Sequence, residues 1–217
     1  VPYIHKHVKE IDLTKINFKD FTEPGSIRVG TALYDAFRSL LGKLIWILKT
    51  RSEFEFDVSI LASRVHRLSI SDLQYANDLS REILSTVDRA LFLPAIVLQE
   101  GDKLELLAVC DASLAGRDDE SSQGARAIGL TSSQSDLFAP CDVSSRKVRR
   151  RSSSSFDAEM LTLVDCADML CVIRLLYEEL AFGTRPSLMH RILMEVEGVA
   201  VDRPKVRCVI DCDARDC

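Results

Sequence analysis

The sequence has no apolar stretch long enough to cross a membrane. Its most apolar window, residues 40–48, is interrupted by Gly42 and Lys43 and ends at Lys49, whereas a spanning helix needs about 20 apolar residues. No secretory leader pattern opens the chain. We therefore expect no membrane partner and an intracellular location, cytoplasmic or nuclear, without secretion.

Patterns that mark a structural metal site or a covalent catalyst are also missing. The seven cysteines include no CxxC pair. The sequence also indicates no Ser/His/Asp or Cys/His arrangement of the kind that forms a covalent catalyst. Most of the cysteines sit in or beside apolar patterns, as reduced buried thiols do: these are Cys110, Cys141, Cys166, Cys171 and Cys208. This pattern favours a reducing compartment.

The charge balance excludes a wholly basic nucleic-acid-binding protein. The 33 acidic and 28 basic residues give a net charge of -5, so any contact with nucleic acid must be local. The strongest basic cluster lies within residues 146–151, and Lys43 and Arg51 add charge to the first part of the chain. The predicted nucleic-acid-binding residues are therefore Arg146, Lys147, Arg149, Arg150, Arg151, Lys43 and Arg51. A solvated hairpin end, a nuclear-targeting signal and a kinase site at the following serines are alternatives for residues 146–155.

The first part of the chain carries helical patterns. Apolar residues recur at helical spacing in three stretches that fill roughly residues 31–92. Capping-box patterns at Ser52 and Ser71 precede the second and third stretches. Residues 1–30 are poorly periodic and predict a solvated edge, and residues 95–98, after Pro94, predict a short strand.

Three acidic residues stand out in the second part. Within residues 103–116, an apolar run that predicts a strand buried on both faces meets Asp111 and then a Gly-containing loop. Glu159 begins a long helical pattern and lies on the same stripe as Leu163, Cys166, Leu170 and Ile173, which predicts that it faces the core. Asp211 ends a second β-branched run. Oxygen ligands without histidine or cysteine are what magnesium prefers.

These residues carry a resemblance to the ribonuclease H domain of copia-type retrotransposon polyproteins. The family's first motif, Asp-Ala-x-x-Ala-Gly, is matched by DASLAG at 111–116, and its second, Ser-Ser-x-x-Ala-Glu, by SSFDAE at 154–159. Residues 122–130 are similar to the family's intervening strand, and Asp211 falls on its third acid. The chain departs from the family at Ser113, where a second Asp is usual, and at Val143 and Ser144, where a Trp-Lys pair is usual.

The resemblance implies a catalytic and metal site formed by Asp111, Glu159 and Asp211. It implies two Mg²⁺ ions, with Mn²⁺ as an alternative, and an RNA/DNA hybrid as the substrate. It also places a further ligand or histidine beyond Cys217. The expected activity is magnesium-dependent endonucleolytic cleavage of the RNA strand.

The helical part resembles the segment that links polymerase to ribonuclease H in these polyproteins, through residues 37–46 followed by Thr50 and Arg51. This implies that residues 1–100 are the tail of a reverse transcriptase and that the polymerase palm and fingers are a partner. A Tyr-x-Asp-Asp polymerase motif is absent from the sequence, so we do not expect DNA synthesis by this chain.

The fold class that follows is α/β: a ribonuclease H-like mixed sheet, incomplete at the C-terminus, over residues 101–217, preceded by a small helical connection subdomain. The expected order of elements is strand, strand, strand, long helix, strand. Two other functions stay open, a noncatalytic nucleic-acid-binding or scaffold fragment of a decayed element and a generic nucleic-acid-binding helical module.

Overall fold

The protein is described by a computed structural model that covers residues 2–89, 91–115, 120–182 and 207–212. The chain divides into two compact units, Val1–Leu91 and Phe92–Cys217. The first unit ends at Leu91, whereas the sequence places the boundary at residue 100. None of the helices described is both long enough and apolar enough to form a membrane span.

The first unit is helical. Its described residues form the α-helices α1 (Pro2–His7), α2 (Ala32–Ile47), α3 (Glu55–Ser63) and α4 (Ile70–Ser85), with short 3-10 turns at Phe18–Phe21, Ser52–Phe54 and Val65–Arg67. The three predicted helices between residues 31 and 92 are thus confirmed. Fully buried side chains at its centre are Phe37, Leu44, Leu61, Leu68 and Leu73.

The prediction that residues 1–30 form a solvated edge is wrong for roughly the first ten residues, which contribute to the core. Ile4, Val8 and Ile11 are buried in the helical core. The side-chain amide of Asn77 binds the backbone of Ile11, accepting from its N–H at 2.7 Å and donating to its carbonyl at 2.9 Å. These contacts hold the segment against α4. Ile11 and Asn77 are 66 residues apart in the sequence.

The capping box of α4 is formed by Ser69, two residues before the predicted Ser71. The Asp72 carboxylate accepts from the Ser69 backbone N–H at 2.9 Å and from its hydroxyl at 2.8 Å. At the other predicted cap, Ser52 starts a 3-10 turn, and no side chain caps α3. Each pattern indicated a helix start but not its exact residue.

The described part of the second unit contains a mixed four-stranded sheet and one long helix. The elements are β1 (Leu104–Ser113), β2 (Gln123–Ser132), β3 (Ser135–Lys147), α5 (Ser155–Phe182) and β4 (Arg207–Cys212). The strand order is β3-β2-β1-β4, with antiparallel pairing of β1 with β2 and β2 with β3, and parallel pairing of β1 with β4. The predicted order of three strands, a long helix and a parallel strand is confirmed.

Helix α5 covers one face of β1 and β2. Leu106, Ala108 and Cys110 alternate along β1 and pack against Cys166 and Leu170 of α5. This confirms the predicted apolar stripe of α5.

The predicted burial of β1 on both faces is wrong toward the C-terminal end of the strand. Val109, which points to the face away from α5, is 45% exposed. The apolar run of β1 had suggested two covered faces. The hydrophobic pattern of this segment predicts a strand, but it does not predict whether one or both faces of that strand are covered.

The predicted strand at residues 95–98 is also wrong. These residues have no regular structure and pair with no strand of the described ranges. Phe92 and Val97 in this connection are 78% and 68% exposed. A short apolar run forms a strand only where a neighbouring strand satisfies its backbone groups.

Gly124 allows β2 and α5 to approach closely. It pairs with Ala112 of β1, and a Cβ atom at this position would overlap the side chain of Thr162. The Thr162 hydroxyl is held in place because it donates to the Ala158 carbonyl at 2.9 Å. Thr162 is buried, so it has little room to move.

We therefore expect Gly124→Ala to lower the free energy of unfolding of the second unit by about 1–3 kcal/mol through overpacking. Chemical denaturation followed by circular dichroism would measure the change. The double variant Gly124→Ala/Thr162→Ala is the control, since it removes the overlapping atoms and should recover part of the stability. Full additivity of the two substitutions would show that the packing of these two residues against each other is unimportant.

Candidate functional site

Asp111 lies near the C-terminal end of β1, opposite Ala125 of β2. Its side chain is exposed, and its Oδ1 accepts from the N–H of Ala112 at 2.7 Å. Cys110, one residue earlier, is buried under α5. Because side chains alternate along a strand, Asp111 faces the side of the sheet away from α5.

Glu159 lies in the second turn of α5 and is buried, with 8% of its surface exposed. The helix begins at Ser155, and the Asp157 N–H donates to the hydroxyl of Ser154 at 3.1 Å, which caps it. The prediction that Glu159 faces inward is confirmed. A carboxylate at such a depth has a free-energy cost that only nearby donors or cations offset.

Asp211 lies on β4, where its backbone pairs in parallel with Val109, and Cys212 pairs with Cys110. The strand prediction for this segment is therefore confirmed. The side chain of Asp211 and the loop residues 116–119, which include the end of the first motif, lie outside the described residues.

The three acids lie at the same end of the sheet. β1 and β4 run parallel, so their C-terminal ends meet, and Asp211 is placed two positions before Asp111 in the register. Thr162 of α5 contacts Gly124, which is the partner of Ala112. Glu159 lies about one helical turn before Thr162. The topology thus brings the segments that carry the three acids, which are far apart in the sequence, to one end of the sheet.

Within the ranges described, no three histidine, cysteine, aspartate or glutamate side chains lie close enough to share a metal ion. Asp111 and Glu159 are on different sides of β1. Both groups are carboxylates, the donor type that magnesium prefers, but their described side chains do not converge on one point.

A basic groove lies beside the start of α5. Its volume is about 320 Å³, and it is formed by the end of β3, the segment that follows it and α5. The basic residues that line it are Arg126, Arg146, Lys147, Arg149 and Arg150. A second depression of about 350 Å³ adjoins it and adds Arg151 and Ser152. The cluster predicted at residues 146–151 therefore surrounds a concave surface.

Two of these arginines take part in an ion network. Arg126 of β2 is buried, with 5% of its side chain exposed, and donates through Nε to Asp142 of β3 at 2.8 Å and through Nη1 to Asp165 of α5. Arg146 donates to both carboxylate oxygens of Asp165 at 2.7 and 2.6 Å. The network joins two strands to the helix.

Arg126 was missed by the sequence reasoning. It occupies an inward-facing position of β2, between the buried Gly124 and Ile128. A charged residue at an alternating position of a strand is the signal that could have identified it. Its partners Asp142 and Asp165 are 16 and 39 residues away in sequence, so spacing alone would not name them.

The predicted nucleic-acid contact of Arg51 is incompatible with its position. Its side chain is 3% exposed and ion-pairs with Glu53 at 2.6 Å. Its two terminal nitrogens donate to the carbonyl and hydroxyl oxygens of Thr86 at 3.1 and 2.8 Å, and its guanidinium lies over the Phe54 ring. Arg51 therefore joins the end of α2 to the end of α4. Lys43 is half-buried on α2.

A search of curated proteins finds a partial similarity. The chain is 29% identical over 91 residues to the uncharacterized mitochondrial protein AtMg00810 of Arabidopsis thaliana. The similarity covers 41% of this chain and 36% of that protein. No family model matches the chain, and no solved structure matches it.

The ion network predicts a decrease of stability in acid. Burial raises the pKa of Asp165, but the hydrogen bonds from Arg146 and the charge of Arg126 outweigh it, and the pKa is held below the ordinary 3.8. A carboxyl with a lowered pKa stabilises the fold above the unfolded-state pKa and loses that effect as pH falls through the folded-state value. We expect the free energy of unfolding of the second unit to fall below about pH 5.

Asp165→Asn is the matched variant, since it keeps the shape of the side chain. Its unfolding free energy should be lower than that of the native chain at neutral pH and should depend less on pH between about pH 5 and pH 2. Denaturant titrations at each pH would measure both quantities. Parallel curves for the two proteins would rule out this contribution of Asp165.

Proposed function

We propose that the chain is part of a copia-type retrotransposon reverse transcriptase and cleaves the RNA strand of RNA/DNA hybrids with the help of magnesium. The observation that carries the proposal is the position of Asp111, Glu159 and Asp211 at one end of a mixed sheet. The strand order and the long helix are compatible with a ribonuclease H-like fold.

Asp111 and Asp211, at neighbouring strand ends, and Glu159 on α5 would hold the metal ions. Because Asp111 faces the side of β1 away from α5, its carboxylate would have to turn around the end of the strand to share an ion with Glu159. Bound magnesium would supply a water of lowered pKa as nucleophile and would stabilise the leaving oxygen of the phosphodiester. Asp111 offers an exposed carboxylate at the open end of β1. The burial of Glu159 excludes water from one side of that end and raises the local strength of any electrostatic interaction.

The substrate backbone would lie in the basic groove. Lys147, Arg149, Arg150 and Arg151 are exposed, and no described acidic side chain pairs with Arg149, Arg150 or Arg151. They stand in the segment that leads directly into α5, so phosphates held there would lie close to the helix start that carries Glu159. Discrimination of RNA from DNA would rely in part on the 2′-hydroxyl.

A noncatalytic nucleic-acid-binding fragment is the second candidate. It is favoured by the orientation of Asp111, whose side chain faces away from the helix that carries Glu159. In this case the groove binds the hybrid and the acids do not act on it. The two candidates predict the same binding but different hydrolysis.

Cleavage of a labelled hybrid in magnesium separates the candidates. We expect Asp111→Asn and Glu159→Gln each to reduce the cleavage rate by more than about a hundredfold, because each removes one charged metal ligand. Hybrid affinity, measured by fluorescence anisotropy without magnesium, should change by less than about twofold, since neither residue lies in the groove.

Asp136→Asn is the matched control. Asp136 is exposed on β3 beside the turn between β2 and β3, at the opposite end of the sheet, so its replacement should leave cleavage unchanged. Equal cleavage by the native chain and Asp111→Asn would remove Asp111 from the mechanism. Binding without cleavage by any form would favour the noncatalytic function.

The groove is tested by a triple substitution of Arg149, Arg150 and Arg151 to glutamine. We expect weaker hybrid binding and a salt-dependence slope that is smaller by roughly 0.9 for each phosphate that these side chains neutralise. Anisotropy titrations at several salt concentrations would give the slope. Substitution of the exposed Lys9, Lys15 and Lys19 to glutamine removes the same charge from the helical unit. Equal effects of the two triple variants would show that only the net charge matters.

A further inference from the structure

The seven residues between β3 and α5 form a segment without regular structure, in which Arg149, Arg150, Arg151 and Ser153 are exposed. Over residues 148–154 the backbone is tied by a hydrogen bond from the Val148 N–H to the Ser122 carbonyl, at 2.9 Å, and by one from the Ala158 N–H to the Ser154 carbonyl, at 3.2 Å. The segment contains three consecutive arginines followed by serines. An exposed coil of this kind can extend into the cleft of a modifying enzyme.

The structure distinguishes the serine hydroxyls. The Ser152 hydroxyl is buried, and no hydrogen-bond partner for it exists among the described residues. The Ser154 hydroxyl accepts from the Asp157 N–H at 3.1 Å and caps α5, and Ser155 is the first residue of the helix. Ser153 is exposed, and its hydroxyl donates to the carboxylate of Asp157 at the surface.

We propose that Ser153 is a phosphorylation site for a basic-residue-directed protein kinase. Arg150 and Arg151 stand three and two residues before it, where the acidic subsites of such a kinase would bind them. In the transfer, the Ser153 hydroxyl oxygen forms a bond to the γ-phosphorus of a nucleoside triphosphate. The bond to the nucleoside diphosphate breaks, and the hydroxyl proton passes to the kinase's base.

The phosphate would change the charge of the basic groove. It adds about -1.5 to -2 charges at neutral pH, two residues from Arg151 and within the segment that lines the groove. It would also replace the hydrogen bond to Asp157 by repulsion between two anions, at the start of the helix that carries Glu159. The consequence, weaker binding of the nucleic-acid backbone, rests on the proposed function.

The acceptor is tested on the full chain. The protein is incubated with magnesium, a nucleoside triphosphate and a kinase that requires arginines two and three residues before its serine, and the modified residue is mapped by mass spectrometry. We expect one phosphate on Ser153. Incorporation should fall by more than about tenfold in Ser153→Ala and should persist in Ser153→Thr and in Ser154→Ala.

Mapping of the phosphate to Ser152 or Ser154, or no incorporation while the kinase modifies its own standard substrate, would overturn the assignment. Persistence in Ser153→Thr shows that the reduced incorporation in Ser153→Ala reflects the missing hydroxyl and not a disturbed helix start. Circular dichroism of the variants checks that α5 is retained.

The consequence is measured by titrating the labelled hybrid with unmodified and phosphorylated chain. Phosphorylation should weaken binding by about tenfold at low salt and reduce the salt-dependence slope by roughly 1–2. An unchanged affinity would overturn the regulatory effect. Failure of the unmodified chain to bind the hybrid would instead overturn the proposed function, and the mapped phosphate would still support Ser153 as the acceptor.

Discussion

The second unit depends on the burial of one side of β1 against α5. Leu106, Ala108 and Cys110 interlock with Cys166 and Leu170, and each large apolar side chain buried in this way contributes about 1.5–3 kcal/mol before the entropy of ordering is subtracted. A slip of one residue would turn these side chains toward water. The contact therefore sets the register of β1 and, through it, the positions of both neighbouring strands.

The charged residues of this unit serve two different purposes. Arg126 and Arg146 are engaged by Asp142 and Asp165, so part of the positive charge at the groove is neutralised within the fold. Such a network leaves little charge free for a ligand. Removing one member would leave the remaining charged side chains without a partner and would destabilise the fold. The arginines at 149–151 stand outside this network and are exposed, so under the proposed function they would be the main source of attraction for an anionic partner.

Local patterns predicted much of this architecture. The spacing of apolar residues identified α2, α4 and the inward face of α5, and it placed Glu159 on that face. Features that depend on distant partners were not accessible in the same way. The role of Arg126 depends on carboxylates in other elements, and the exposure of Val109 depends on how many layers cover the sheet. The joining of Ile11 to Asn77 likewise has no local signature.

Arg51 shows how a basic residue can be misread. Its guanidinium bridges Glu53 and Thr86 and lies over Phe54, an arrangement that a lysine ammonium, with its single nitrogen, cannot reproduce. The packing of the helices therefore demands an arginine at this position whether or not the chain binds any ligand.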